Sequence, residues 1–265
     1  MEWKKVRNWL ILLLLAADLI LAGNLALQAL RAERTLRQAA TDAVALAGER
    51  GLALELETVL ELPRQMPVYT ARRSDTLERQ TATTLLGGGA EQVTPGGGVA
   101  IYQSEKGSVS FRRGGMLEAD APWTWEGFDA LTCAEALENA GLNAKKALRE
   151  DTMDGVRLTQ NYSGYPLFNC QLVCAQNAGR FSVNGRWLLT GELTEREQSL
   201  SRAQMVLELC ALAEELGFTR VTGLQAGYVL QSDAPQTLTL TPAWQAETGV
   251  GTVVISCASG EQLIF

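Results

Sequence analysis

A chain of 265 residues, 46% hydrophobic and 20% charged, can bury a sizeable core and is too apolar to be disordered in bulk. Its formal net charge of −7 repels phosphate backbones and argues against nucleic acid as a partner. It has no histidine, which removes the commonest general base, the commonest metal ligand and the near-neutral pH switch together.

The first feature is an apolar run at 9–30, WLILLLLAADLILAGNLALQAL, preceded by Lys4, Lys5 and Arg7. A helix over it spans about 30 Å at 1.5 Å per residue, the hydrocarbon thickness of a bilayer. Positive flanks stay in the cytoplasm, so 1–8 reads as a cytoplasmic tail and everything after residue 30 as extracytoplasmic. Arg31, Arg34 and Arg37 follow the run and pull the other way. A cleaved signal peptide has a shorter apolar stretch, about 7–15 residues, and a small-x-small site that is missing here before residue 30. The reading is therefore an uncleaved single-pass anchor in the cell membrane.

Asp18 falls near mid-bilayer, where a lone acid costs about 2.5–3.5 kcal/mol on insertion scales and calls for neutralisation or a partner. Asp18, Ala22, Ala26 and Ala29 share one helical face, small apart from the acid. Such faces let membrane helices approach closely and hydrogen-bond. This is the candidate docking face for another transmembrane helix. The competing reading is a polar residue tolerated among surplus leucines.

Beyond the anchor, a helix is predicted over 36–50, with Leu36, Ala39, Ala40, Ala43, Val44 and Ala47 on a face and Gly51 at its C′ position. Leu52, Leu54 and Leu56 alternate with Ala53, Glu55 and Glu57, a strand pattern ended by Leu62 and Pro63. Residues 68–73 read as a second strand. Asp75, as N-cap, and Glu78 open a helix to residue 86, stopped by the glycines at 87–89. From 91 to 118 the pattern is strands broken by glycine turns at 96–98, 107 and 114–115. No Gly-Lys-Ser/Thr follows these glycines, so they read as turns rather than a phosphate cradle. The stretch PWTWEGF at 122–128 reads as a domain junction.

A second unit follows. Thr132 and Glu135 make a capping box for a helix ending near residue 141. Alternating strands cover 156–161, 167–175 and 180–189. Thr194 and Glu197 offer another capping box, for a helix to residue 216. Its apolar stripe is Leu200, Ala203, Leu207, Cys210, Ala213 and Leu216, and Gly217 is its stop. Strands over 220–231, 237–247 and 252–258 follow, with the last few residues as a further candidate. VALAGERG at 44–51 echoes CALAEELG at 210–217, each leading into a strand. The expected fold class is α+β: a single transmembrane helix at 9–30, then two α+β modules, 31–125 and 126–265, with antiparallel sheets and packed helices.

No motif supplies chemistry. Histidine-dependent triads are excluded, and there is no Gly-x-Ser-x-Gly, zinc quartet or EF-hand loop. Asp151, Asp154 and Gly155 come nearest to a calcium loop and read as a turn. The five cysteines are an odd number with no Cys-x-x-Cys. Cys170 and Cys174 would sit on one strand face about 13 Å apart, too far to bridge each other. They read as small buried apolar residues, with one disulfide plus free thiols as the alternative. The expectation is a non-enzymatic protein with no catalytic, cofactor-binding or metal-binding residue.

Several segments resemble one family. They are the opening Met1-Glu2-Trp3-Lys4-Lys5, NYSGYPLF at 161–168 (Gly164, Pro166, Phe168) and GRFSV at 179–183. AGY at 226–228 (Gly227, Tyr228) and LTPAW at 240–244 (Pro242, Trp244) follow. In this order and spacing they look like the YycI family, relatives of YycH: single-pass membrane regulators encoded beside the WalK (YycG) sensor histidine kinase of Gram-positive bacteria. Cys257, in CASG at 257–260, departs from the family's Asn-Ala-x-x-Gly turn. The resemblance covers the anchor and about residues 155–262. It implies a two-domain outer portion without an enzymatic site. It also implies partners in the lipid bilayer, a sensor histidine kinase of cell-wall homeostasis and a YycH-like membrane protein.

The matched residues also have plain structural readings. Gly164 and Pro166 shape a turn, and Gly227 marks a bulge or close backbone approach. Pro242 fits an edge strand, and Trp244 fits core or rim. The alternative function is an extracytoplasmic binding or inhibitor-like module for a wall fragment or a protease.

Overall fold

The computed structural model describes residues 3–234 and 236–265. Met1 and Glu2 of the family-like opening lie outside them, as do the side chains of Lys4, Lys5, Ala29 and Glu197.

The first half runs α1 (Trp3–Glu49), α2 (Leu56–Glu61), β1 (Pro67–Arg72), α3 (Asp75–Leu86), β2 (Glu91–Gly96), β3 (Val99–Ser104), β4 (Gly107–Arg112) and β5 (Met116–Ala121). The second runs α4 (Ala130–Asn139), β6 (Leu148–Thr152), β7 (Gly155–Tyr162), β8 (Tyr165–Asn177), β9 (Arg180–Arg186) and β10 (Thr194–Gln198). It ends with α5 (Arg202–Leu216), β11 (Val221–Ala234), β12 (Thr237–Thr248) and β13 (Gly251–Ser256).

The helix predicted over 36–50 is not separate. It continues the apolar run as one helix of 47 residues, because 31–38 holds good helix formers and neither glycine nor proline. Gly51, at φ +86°, ends it, with Leu52 N donating to Ala47 O at 2.9 Å. Of its predicted stripe, Ala40, Ala43 and Ala47 are buried and Val44 is half-buried. Leu36 and Ala39 stay exposed because the body packs closely on the helix only from Ala40 onward. The strand predicted from Leu52 reduces to a single parallel bridge between Ala53 and Arg220. Helix α2 then starts at Leu56, which lets Val59 and Leu62 bury together.

All three predicted N-caps move. Helix α3 is capped by Ser74, whose Oγ accepts from Leu77 N; Asp75 is the first helical residue, and Glu78 turns inward. Helix α4 has its capping box one turn earlier, between Asp129 and Thr132. The box of α5 is Ser201 with Gln204. Residues 194–198 form strand β10 against β1 instead, and the short edge strand β6 was also not foreseen. The buried stripe of α5 is Met205, Val206, Leu209, Cys210, Leu212 and Ala213, leaving Leu207 and Leu216 exposed.

The strands join into a 13-stranded sheet in the order β10-β1-β12-β11-β8-β9-β5-β4-β3-β2, with β13 beside β12, and β7 and β6 beyond β8. Among the named strands the expected antiparallel pairing fails at one place. Strands β8 and β11 meet in parallel, at Leu167 and Tyr228, so the sheet is mixed. Strand β8 is 13 residues long and serves two cores. Its first part, with Leu167 and Cys170, belongs to a core built on α1, α2, α5 and β11–β13. Its second part, with Leu172 and Cys174, belongs to a core built on α3, α4, β3–β5 and β9. All five cysteines are free and buried, in line with their reading as small apolar side chains.

One buried polar pair carries no local mark in the sequence. Arg73 forks onto Glu78, Nε to Oε1 at 2.7 Å and Nη2 to Oε2 at 2.9 Å, and also donates to Gly98 O. Both side chains are about 5% exposed or less. The fork fixes the turn from β1 into α3 and ties it to the β2–β3 turn.

Candidate functional site

Helix α1 has two parts with opposite surroundings. Its last turns seat Ala40, Ala43 and Ala47 against the body, where small side chains permit close approach to α5. Among the described side chains from Trp3 to Ala39, all are exposed. This is the one helix among the described residues long and apolar enough to cross a membrane. At 1.5 Å per residue the whole helix is about 70 Å long. Asp18, Ala22 and Ala26 are exposed along it at helical spacing, and Ala29 continues the face in the backbone. A tie lies just past the apolar run, where Arg64 donates to Glu33 at 2.5 Å and links the chain after α2 to α1.

The seven family-like residues of the second half converge on the parallel joint. Ser163 (φ +51°) and Gly164 (φ +88°) form the two-residue turn between Tyr162 and Tyr165. Pro166 is buried beside Leu167, which pairs with Tyr228. The neighbour of that pair is Gly227, and Phe168 lies across it. A Cβ on Gly227 would stand 2.5 Å from Phe168 Cζ and 2.6 Å from Pro166 O. The close-approach reading of Gly227 thus describes what is seen. Asn169 adds a two-point clamp, donating to Leu230 O at 2.9 Å and accepting from Leu230 N at 2.8 Å.

Pro242 is not on an edge strand. It pairs with Tyr228 on β11, and on the other side of β12 it falls between Leu240, which faces Tyr69 near the start of β1, and Ala243, which faces Ser256 at the end of β13. A residue without an N–H fits that gap, and its carbonyl accepts from Cys257 N at 2.7 Å. Trp244 is 2% exposed and belongs to the first core.

Tyr69, Tyr162 and Tyr165 gather around Tyr228, with ring centroids 6.0, 6.1 and 6.3 Å from it. Burial, then the neighbouring phenol Tyr69, raises the Tyr228 hydroxyl above the ordinary tyrosine range. Burial does the same to Tyr69. The upward shift keeps the Tyr228 and Tyr69 hydroxyls protonated near neutral pH. Among the described residues no group of three or more His, Cys, Asp or Glu side chains is placed to hold a metal ion.

No family model matches the chain, and no curated protein matches it. Solved structures are similar at low identity, and two of them are as follows. One is an uncharacterized protein from Eubacterium rectale, 12% identical, with a TM-score of 0.40 over 76% of this chain and 87% of that one. The other is the C-terminal domain of Bacillus megaterium YpeB, 12% identical, with a TM-score of 0.33 over 74% of this chain and 100% of that one.

Proposed function

We propose that this chain is a non-catalytic, single-pass membrane regulator. It tunes a two-component sensor histidine kinase of the WalK/YycG type, acting in cell-wall homeostasis together with a YycH-like membrane partner. The N-terminus is cytoplasmic and the folded portion extracytoplasmic. The observation that carries this reading is the continuity of α1, from an exposed apolar stretch to a buried seat on α5. Such a rod transmits position and rotation between bilayer and body without a hinge. The resemblance of the second half to the YycI family supports the choice of partner.

The contact runs through the face of Asp18, Ala22, Ala26 and Ala29. A regulator shifts a kinase only through contacts that differ between its signalling states. The acid at Asp18 supplies such a contact, a hydrogen bond whose partner position depends on the helix packing of the kinase. The test is co-purification of the tagged full chain from membranes of its own host, beside an Asp18→Leu version. Recovery of a histidine kinase with the native helix and its loss with the variant support the reading. Absence of a kinase in both preparations sinks it.

A further inference from the structure

A cleft of about 630 Å³ opens between the end of α3, the outer face of α4 and the 122–125 segment. One wall is aromatic. Trp123 stacks one face on Phe181, with planes 8° apart and centroids 5.8 Å apart, so its other face is the one left for the cleft. Trp125 meets Trp123 at 86°, with centroids 5.6 Å apart. The segment is held rigidly by the Gln176 side chain, which accepts from Trp125 N at 2.8 Å and donates to Trp125 O at 3.0 Å.

The opposite wall is Thr132, Glu135, Ala136 and Asn139, the i, i+3, i+4, i+7 positions of α4. Glu135 and Asn139 are exposed, and among the described residues their side chains make no hydrogen bond. No lysine or arginine lines the cleft. That composition disfavours phosphates and acidic peptides, which need cationic partners. A fixed indole face opposite a free carboxylate and a free amide suits a flat molecule with an apolar face and a rim of hydroxyls. A pyranose ring is such a molecule. The volume lies in the range of about 300–1,000 Å³ usual for small-molecule sites.

We propose that this cleft binds an uncharged glycan segment, one sugar ring lying on Trp123 while Glu135 and Asn139 hydrogen-bond its hydroxyls. The inference does not rest on the kinase reading. The sequence placed only a junction here. The alternation Trp-Thr-Trp was the available signal, and only the fold shows that α4 faces it.

The test is calorimetric titration of the full chain in detergent with tri-N-acetylchitotriose. Saturable binding is expected. Asn139→Ala and Glu135→Ala, both at exposed positions outside the core, should each weaken it about tenfold, the loss of one good hydrogen bond. Trp123→Ala should abolish it. No saturable heat up to about 10 mM sugar, beyond even millimolar affinity, overturns the proposal. Unchanged affinity in both α4 variants overturns it too, as does a proline-rich peptide binding where the sugar does not.

Discussion

The amide of Ala53 donates to the carbonyl of Thr219 at 2.8 Å, and the carbonyl of Ala53 accepts from Val221 N at 3.0 Å. Each of Ala53 and Thr219 stands two residues past the glycine that ends its helix, Gly51 and Gly217. The echoed octamers at 44–51 and 210–217 therefore end side by side and leave their helices in parallel. Matching positions do matching work: Ala47 and Ala213 are both buried in the helix contact, and Leu52 and Phe218 both enter the first core.

Close approach of α1 and α5 depends on these alanines. Ala47 is fully buried, so Ala47→Leu inserts volume where none is free and should destabilise by about 1–3 kcal/mol in urea denaturation of the detergent-solubilised chain. Ala45→Leu, on the exposed face of the same turn, should change stability by less than about 0.5 kcal/mol.

The Arg73–Glu78 fork is buried on both sides. Removing one partner leaves an uncompensated charge, so Glu78→Ala should cost about 3–5 kcal/mol. Replacing both with apolar residues of similar volume, Arg73→Met with Glu78→Leu, removes that charge and should recover much of the loss. A double variant as unstable as the single would show that the hydrogen bond from Arg73 to Gly98 O matters more than the ion pair.

Gly227 leaves no room for a Cβ. Gly227→Ala should destabilise by about 1–3 kcal/mol through overpacking. Trimming the ring with Phe168→Leu should restore only part of this, because the second close atom, Pro166 O at 2.6 Å, is backbone and cannot swing away. Full rescue in thermal melts would mean that Phe168 alone sets the clash.

Burial pushes the Cys257 thiol from a free thiol's 9.0 up to about 12. The folded state then holds its proton more tightly than the unfolded state. The associated stability is complete below pH 9 and is lost as pH rises from 9 towards 12. Unfolding free energy should fall over that window, and Cys257→Ala should reduce the slope while leaving the part carried by the buried thiols Cys170, Cys174 and Cys210. Native protein at pH 8 should show no thiol reactive towards a maleimide, and denatured protein all five.

Glycine stops and the alternation of the middle strands read well. Gly51, Gly87 and Gly217 each end a helix with positive φ, and the strands from 155 to 186 fall close to where alternation put them. What failed was competition between equivalent local signals. Thr194 with Glu197 and Ser201 with Gln204 both spell a capping box, and only pairing of β10 with β1 decides between them. Long-range partners left no local mark either. Nothing in 165–177 says that Cys170 and Cys174, four residues apart, enter different cores, or that Leu167 pairs in parallel with Tyr228. The spacing of Asp18, Ala22 and Ala26 on one exposed side of α1 was legible because helical periodicity alone sets which residues share a face. The cleft of Trp123 was not, since its walls lie on separate elements.

The continuous helix makes the orientation of the Asp18 face a property of the whole protein. Each residue inserted between Arg34 and Thr35 turns that face about 100° relative to the body. Two inserted alanines rotate it by about 200°, and four by about 400°, which returns it to within about 40° of the start. If membrane helix and body engage the kinase complex together, phosphorylation of the cognate response regulator should lose its dependence on this protein with two alanines and largely regain it with four. The four-alanine version also lifts the body by about 6 Å, a smaller disturbance for a surface contact than a reversed face. Equal output from both insertions would mean that the two ends act separately. The buried seat on α5 would then serve stability alone.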